Sequence, residues 1–466
     1  MDKVLKDYSE VEYNAQLIRE VLVSKKYNNN VLGIVLATKP CFYKLWSVVK
    51  EAERQNLPYL LINSGQHYDD LVGYGIKELD LYEKVAINLH LKGDLNQKSS
   101  ELFIKLKEVS DYIKKINPEM NLIPYVNGDT LTAAIFPAAW MFATNQKSIH
   151  GEAGLRSMSP RKFIGLKDSI TPEELIEIQD NEDWITNRTE PFPEQFDTFV
   201  SSAACEYMFA PVELNKKFLT NEGYNPKKIF TVGNTVVDVI NFKKKLKPKE
   251  SIFELYPALD NGEWIRFDIH RRDNLTHRRF MSIIHSINTL VKSGRKVCLV
   301  ELNATKSALE SYGLRQKLLD LSKENKNFLF TPLWKEYGHV MEFLHSERCQ
   351  AIVTDSGSMQ EELNEIGKPC MTIRFNTDRP ETVMYGKTNI LIPPLSDRMI
   401  SDTVKYVIDN NYFKNIKKAK KLYGTEVGKK IIGDVGKIFS ENDKMFSWAH
   451  EELEIYKDKK DTIKYL

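Results

Sequence analysis

At 466 residues with 42% hydrophobic content, the chain is long enough for two or three domains, and its net charge of +2 gives no electrostatic reason to expect nucleic acid or an anionic membrane as partner. Its five cysteines (Cys41, Cys205, Cys298, Cys349 and Cys370) are scattered without CxxC spacing, which fits buried thiols in a reducing compartment. No signal-peptide core and no run near the roughly 18 apolar residues of a membrane span is present, so a cytoplasmic protein is expected.

From Val31 onward, short apolar runs alternate with longer amphipathic stretches. Val31–Ala37, Tyr59–Ile62, Leu122–Val126 and Ser148–Ile149 read as strands, with helices over Tyr43–Gln55, Ser99–Ile116 and Leu131–Phe142 between them. Between Ser157 and Pro191 the rhythm breaks into a long excursion, in which Thr171-Pro172-Glu173-Glu174 predicts a helix over Pro172–Gln179. Such loops are usually lids, interaction surfaces or disorder. Ile229–Val232, Trp264–Ile269, Lys296–Val300, Phe328–Phe330, Ala351–Thr354 and Cys370–Ile373 predict a second series of strands. The alternation predicts an α/β protein of two doubly wound domains, 1–229 (with the insertion 157–191) and 230–443. The last stretch, 444–466, is expected to be a helix packing back on the first domain.

Ligands of such sheets bind beyond the carboxyl ends of the strands, so the residues that follow each strand carry the functional reading. Acids gather in the first half: Asn127-Gly128-Asp129-Thr130, then Gly151-Glu152-Ala153-Gly154-Leu155-Arg156, then Pro193-Glu194. Lys39 and Lys44 follow the first strand. The second half supplies His270-Arg271-Arg272-Asp273-Asn274, Arg379 and the segment Asp355-Ser356-Gly357-Ser358-Met359-Gln360-Glu361-Glu362. That segment reads as strand, turn and helix start. Ser356 or Ser358 can cap the helix, Gly357 admits a ligand close to the backbone, and the free N–H groups favour a phosphate. A carboxylate nearby could hold ribose or sugar hydroxyls, so a nucleotide or nucleotide-sugar is indicated. Taken singly, Asp129 reads as a helix cap, Glu152 as an acid paired with Arg156 one turn on, and His270 as a loop histidine. Their order on successive strand ends favours a site. The remaining histidines lack metal-ligand spacing, and no metal is expected.

Together with Gly65-Gln66-His67, Phe209-Ala210-Pro211, Gly233-Asn234-Thr235-Val236-Val237-Asp238 and Arg379-Pro380-Glu381, these strings resemble the non-hydrolysing UDP-N-acetylglucosamine 2-epimerase family in family order over roughly residues 31–440. The resemblance implies the glycosyltransferase-B architecture, two Rossmann-like domains closing over a UDP-sugar, in a cytoplasmic homodimer without bound cofactor. It implies Asp129, Glu152, Glu194 and His270 as the catalytic set. Lys39, Lys44, Arg156, Arg271, Asn274, Ser356, Gly357, Ser358, Glu362 and Arg379 would bind the substrate. It further implies anti elimination of UDP to a 2-acetamidoglucal and re-addition with C2 inverted. Several positions depart from the family pattern. Lys39 replaces Arg, Cys41 replaces Glu, Asp197-Thr198 replaces Asn-Arg, Asp273 replaces Glu, and Ser358 replaces the second Gly. With the insertion 157–191, they leave open the same chemistry on another UDP-acetamido sugar such as a diacetamido-uronic acid. A hydrolysing epimerase, a glycosyltransferase or an inactive nucleotide-sugar binder also remain open on this fold.

Overall fold

The computed structural model describes residues 10–440 apart from 23–25, 67–78, 181, 182, 189, 245–247, 249 and 335. Among the described residues the strands are β1 (Glu12–Tyr13), β2 (Asn30–Leu36), β3 (Tyr59–Asn63), β4 (Val85–Asn88), β5 (Asn121–Asn127), β6 (Ser148–Gly151), β7 (Met158–Pro160) and β8 (Trp184–Thr186). They continue with β9 (Cys205–Ala210), β10 (Ile229–Thr231), β11 (Trp264–Asp268), β12 (Lys296–Glu301), β13 (Phe328–Pro332), β14 (Cys349–Thr354), β15 (Cys370–Thr372) and β16 (Asn389–Leu391). One sheet runs β1-β4-β3-β2-β5-β6-β9-β10 and is parallel except for the short edge strand β1; the other runs β13-β12-β11-β14-β15-β16 and is parallel throughout. Parallel strands covered on both faces carry continuous apolar runs, and β2 is buried at every position. Apart from the edge strand β1, in each sheet the chain starts in the middle, winds to one edge, returns, and winds to the other. These are two Rossmann-like, doubly wound domains, as in glycosyltransferase-B folds.

Three features differ from the sequence-based expectation. Ile229–Val232 was expected to open the second domain's strands, but β10 pairs in parallel with β9, and Val232 and Val239 join the core of the first domain. The boundary therefore lies beyond 229, and the second sheet opens at β11. The return to the first domain is made by the helix Val427–Ser440, which packs on the helix Lys39–Arg54. Asp238 accepts hydrogen bonds from the backbone N–H groups of Val427 (3.1 Å) and Gly428 (2.8 Å). Gly428 is needed at the crossing, because a Cβ there would sit 2.7 Å from the Ser47 carbonyl oxygen. The stretch 444–466, expected to make this return, lies outside the described residues.

The excursion is the third. It holds the antiparallel pair β7–β8 and, between those strands, a helix Pro172–Asp180, one residue longer than read from the sequence. It leaves the first domain but packs on the second. Met158 bridges Thr377, Leu175 and Ile176 enter the second domain's core, and Gln179 exchanges hydrogen bonds with both backbone groups of Leu391 (2.6 and 2.9 Å).

Candidate active site

Where strand order reverses, the two connections leave in opposite directions and a crevice opens beyond the carboxyl ends. Those points lie between β2 and β5 in one sheet and between β11 and β14 in the other, and both border a single cleft of about 450 Å³. The first domain lines it with Lys44, Gln66, Asp129, Glu152, Glu194 and Asp197; the second contributes His270, Arg271, Asp273, Ser356, Gly357, Ser358 and Arg379. All four acid–base candidates read from the sequence thus meet in one place, although they lie on four separate loops.

Glu152 sits just past β6 with φ at +56°, a left-handed conformation that a non-glycine residue adopts at a cost in strain. Its carboxylate accepts hydrogen bonds from Lys44, from Asn127 (3.0 Å) and from Asn234. Burial alone would raise its pKa, but the Lys44 and Arg379 cations outweigh burial and hold the group below the usual carboxylate range. The local pair with Arg156, which Glu152 taken singly suggests, does not form; Arg156 pairs with Glu222 instead. Neighbouring Gly128 has φ at +82°, and a Cβ there would crowd Glu152 Oε2 at 3.1 Å.

Asp129 behaves in the opposite sense. Burial pushes it up to about 6, with Asp378 and Glu194 adding to the rise against the pull of Arg379 and Arg271. Asp197 is pushed up to about 8 by burial and by the charges of Asp129 and Glu194.

The second domain presents cations and free amides. Ser356 caps the helix Gly357–Ile366, its Oγ accepting from the Met359 N–H, so Gly357 and Ser358 occupy the first helical positions, whose N–H groups lack intrahelical partners. Gly357 is compact for a reason: a Cβ would stand 3.1 Å from Asp378 Oδ2 and 3.4 Å from Arg271 Nη2. Arg271 forms an ion pair with Glu194 across the cleft at 3.1 Å. Asp378, which burial would raise, is held well below the carboxylate range by Arg374 at 2.7 Å, Arg379 at 2.9 Å and Arg271 at 3.9 Å. Asp355 fixes the His270 loop, accepting from the backbone N–H groups of His270 and Arg271 (both 3.0 Å) and lying 3.0 Å from His270 Nδ1.

Three substrate-binding candidates do not line the cleft. Arg156 is turned into the first domain, where it forms a two-pronged pair with Glu222 (both 2.6 Å) and covers the Phe199 ring. Asn274 is spent on Asp355 (3.1 Å) and the Ile373 carbonyl (2.8 Å). Glu362 is buried beneath the helix start; burial raises it to about 7 despite a hydrogen bond with Tyr337. Its neighbour Glu361 instead reaches toward the cleft residues, accepting from Lys44 (3.1 Å), Asn234 (2.9 Å) and Arg379. The Lys39 side chain and His67 lie outside the described residues. Sequence reading gives no role to Asn127, Asn234, Asp355 and Asp378, offers Glu361 only as a possible holder of hydroxyls, and names Asp197 only as a departure from the family pattern. Asn127, Asn234, Asp355 and Glu361 stand inside the motifs already quoted, and the strand-end rule signals their loops without ranking residues within them.

The family profile described as UDP-N-acetylglucosamine 2-epimerase matches residues 185–435. The UDP-N-acetylglucosamine 2-epimerase of Methanocaldococcus jannaschii is 29% identical over 378 residues, 79% of this chain and 90% of that protein. The Campylobacter jejuni enzyme of the same name is 25% identical over 84% of this chain and 93% of its own. Among solved structures, the M. jannaschii UDP-GlcNAc 2-epimerase in complex with UDP-GlcNAc and UDP superposes with a TM-score of 0.69 at 24% identity, covering 87% of this chain and 99% of that one. The Neisseria meningitidis enzyme bound to UDP-GlcNAc gives 0.68 at 22% identity, covering 87% and 99%. With a profile spanning more than half its length and a two-domain cleft of the same fold, the chain belongs to the UDP-N-acetylglucosamine 2-epimerase family.

Proposed function

We propose that the protein interconverts UDP-N-acetylglucosamine and UDP-N-acetylmannosamine by eliminating and re-adding UDP. The C2 proton leaves to a carboxylate, the C–H electron pair forms the C1–C2 double bond, and the C1–O bond breaks to release UDP. Re-addition delivers a proton to the opposite face of C2. The observation that carries this reading is the joining, in one cleft, of first-domain acids with a helix start and cations from the second domain. The amides of Gly357 and Ser358 suit the departing diphosphate, with His270 and Arg271 beside them. Asp129 and Glu194 suit proton exchange at C2, and a pKa near 6 lets Asp129 serve in either protonation state near neutrality. Glu152, already holding Lys44 and two amides, suits the orienting of Lys44.

Product analysis tests this. Incubation with UDP-N-acetylglucosamine should yield UDP-N-acetylmannosamine as the first product. Early release of free N-acetylmannosamine with UDP would instead indicate hydrolysis, and an unchanged substrate would overturn the reading.

A further inference from the structure

Asp197 lies one turn beyond Glu194 on the helix Glu194–Ala203, lines the cleft, and is only 1% exposed. Its Oδ2 has no hydrogen-bond partner among the described residues. A buried carboxylate left in that state is very costly, and a neutral carboxyl awaiting a ligand acceptor much less so.

Among the described residues no cation forms an ion pair with it. Glu194 shares its helix, and Asp129 faces it from the turn after β5. The helix Leu131–Thr144, which packs against it, carries no titratable side chain. From β9 come Cys205, Tyr207 and Glu206, the last paired with Lys147 and Lys228. Of the nearby cations, Arg156 is committed to Glu222, Arg271 to Glu194, and Arg379 to Glu361 and Asp378.

We propose that Asp197 is a specificity-determining residue of the epimerisation described above, donating a hydrogen bond from a neutral carboxyl to a sugar oxygen and selecting an uncharged hexosyl group over a uronate. The proposal rests on that reaction. Asp197 takes the place where the family pattern has Asn, and a protonated Asp offers an O–H donor in the same shape as the amide N–H. A uronate would bring a further negative charge beside the carboxyl groups of Asp129 and Glu194, which a neutral Asp197 does nothing to offset.

The test compares Asp197→Asn and Asp197→Ala in the full chain with UDP-N-acetylglucosamine as substrate and UDP as inhibitor. The Asn variant should keep KM close to wild type near neutrality. The Ala variant should raise KM about ten-fold, the loss of one buried hydrogen bond, with UDP inhibition unchanged in both. Wild-type KM should climb above about pH 8 and that of Asp197→Asn should not. UDP-glucuronic acid should inhibit the wild type about ten-fold more weakly than UDP-glucose. Equal impairment of the two variants, a wild-type KM flat through that range, or equal inhibition by the two nucleotide sugars would overturn the proposal. If the wild type leaves UDP-N-acetylglucosamine unchanged, the reaction itself falls. Thermal unfolding without ligand then decides Asp197: Asp197→Asn should raise Tm over wild type at about pH 9 more than at about pH 5, and the same difference at both would show the carboxyl is not held neutral.

Discussion

Glu152 and Asp129 stand on neighbouring strand ends and titrate in opposite directions, because Lys44 reaches one while burial, with Asp378 and Glu194 adding to it, raises the other. Asp129 must ionise to accept the C2 proton, so kcat/KM should rise with pH through about 6, and Asp129→Asn should lower kcat by about 10²–10⁴-fold and erase that limb. An unchanged limb in the variant would remove Asp129 from the proton transfer. Glu152→Gln should lower kcat while leaving UDP affinity intact, since Glu361 still holds Lys44 at 3.1 Å. Arg156 gives the contrasting case. Arg156→Met strands Glu222 and should cost about 1–3 kcal/mol of stability with KM little changed, read by denaturant unfolding beside steady-state kinetics. The sequence could signal the acids because Gly-Asp and Gly-Glu turns follow strands. It could not separate Arg156 from Arg271, since both are arginines near a strand end and only the distant Glu222 and Phe199 claim the first.

At the scale of elements, legibility followed length and burial. The seven-residue run of β2 and the helix Leu95–Ile116 announce themselves, although the sequence reading starts that helix at Ser99 and misses its Asp94 capping box. β16, with three residues, does not, and β9 was noticed only for its Phe209-Ala210-Pro211 string. The helix Val427–Ser440 is interrupted by Gly428, Gly433 and Gly436, which weaken the helical pattern even though Gly428 is required by the close backbone of Ser47. The excursion was legible as an interruption, but its destination was not, because Gln179 and Leu391 meet only in the folded chain. Gln179→Ala leaves both backbone groups of Leu391 without that partner and should lower stability by about 1–3 kcal/mol, measured by thermal or denaturant unfolding. A neutral result would mean the excursion is not anchored through this residue.

For the molecule as a whole, the division into an acid-bearing first domain and an anion-receiving second domain could be read from the order of the motifs. The crossing between them could not. Glu361 joins Lys44, more than three hundred residues away, to Asn234 and Arg379, and the return helix and the excursion each tie one domain to the other. Ligand bridging the cleft should favour closure. UDP should therefore reduce the radius of gyration in small-angle scattering, and an unchanged profile would contradict ligand-driven closure. The most direct test of the central claim is isotope exchange at C2. In deuterated water, the account predicts that UDP-N-acetylglucosamine recovered from the reaction and the UDP-N-acetylmannosamine formed both carry deuterium at C2. Conversion without deuterium in either epimer, or no conversion at all, would contradict it.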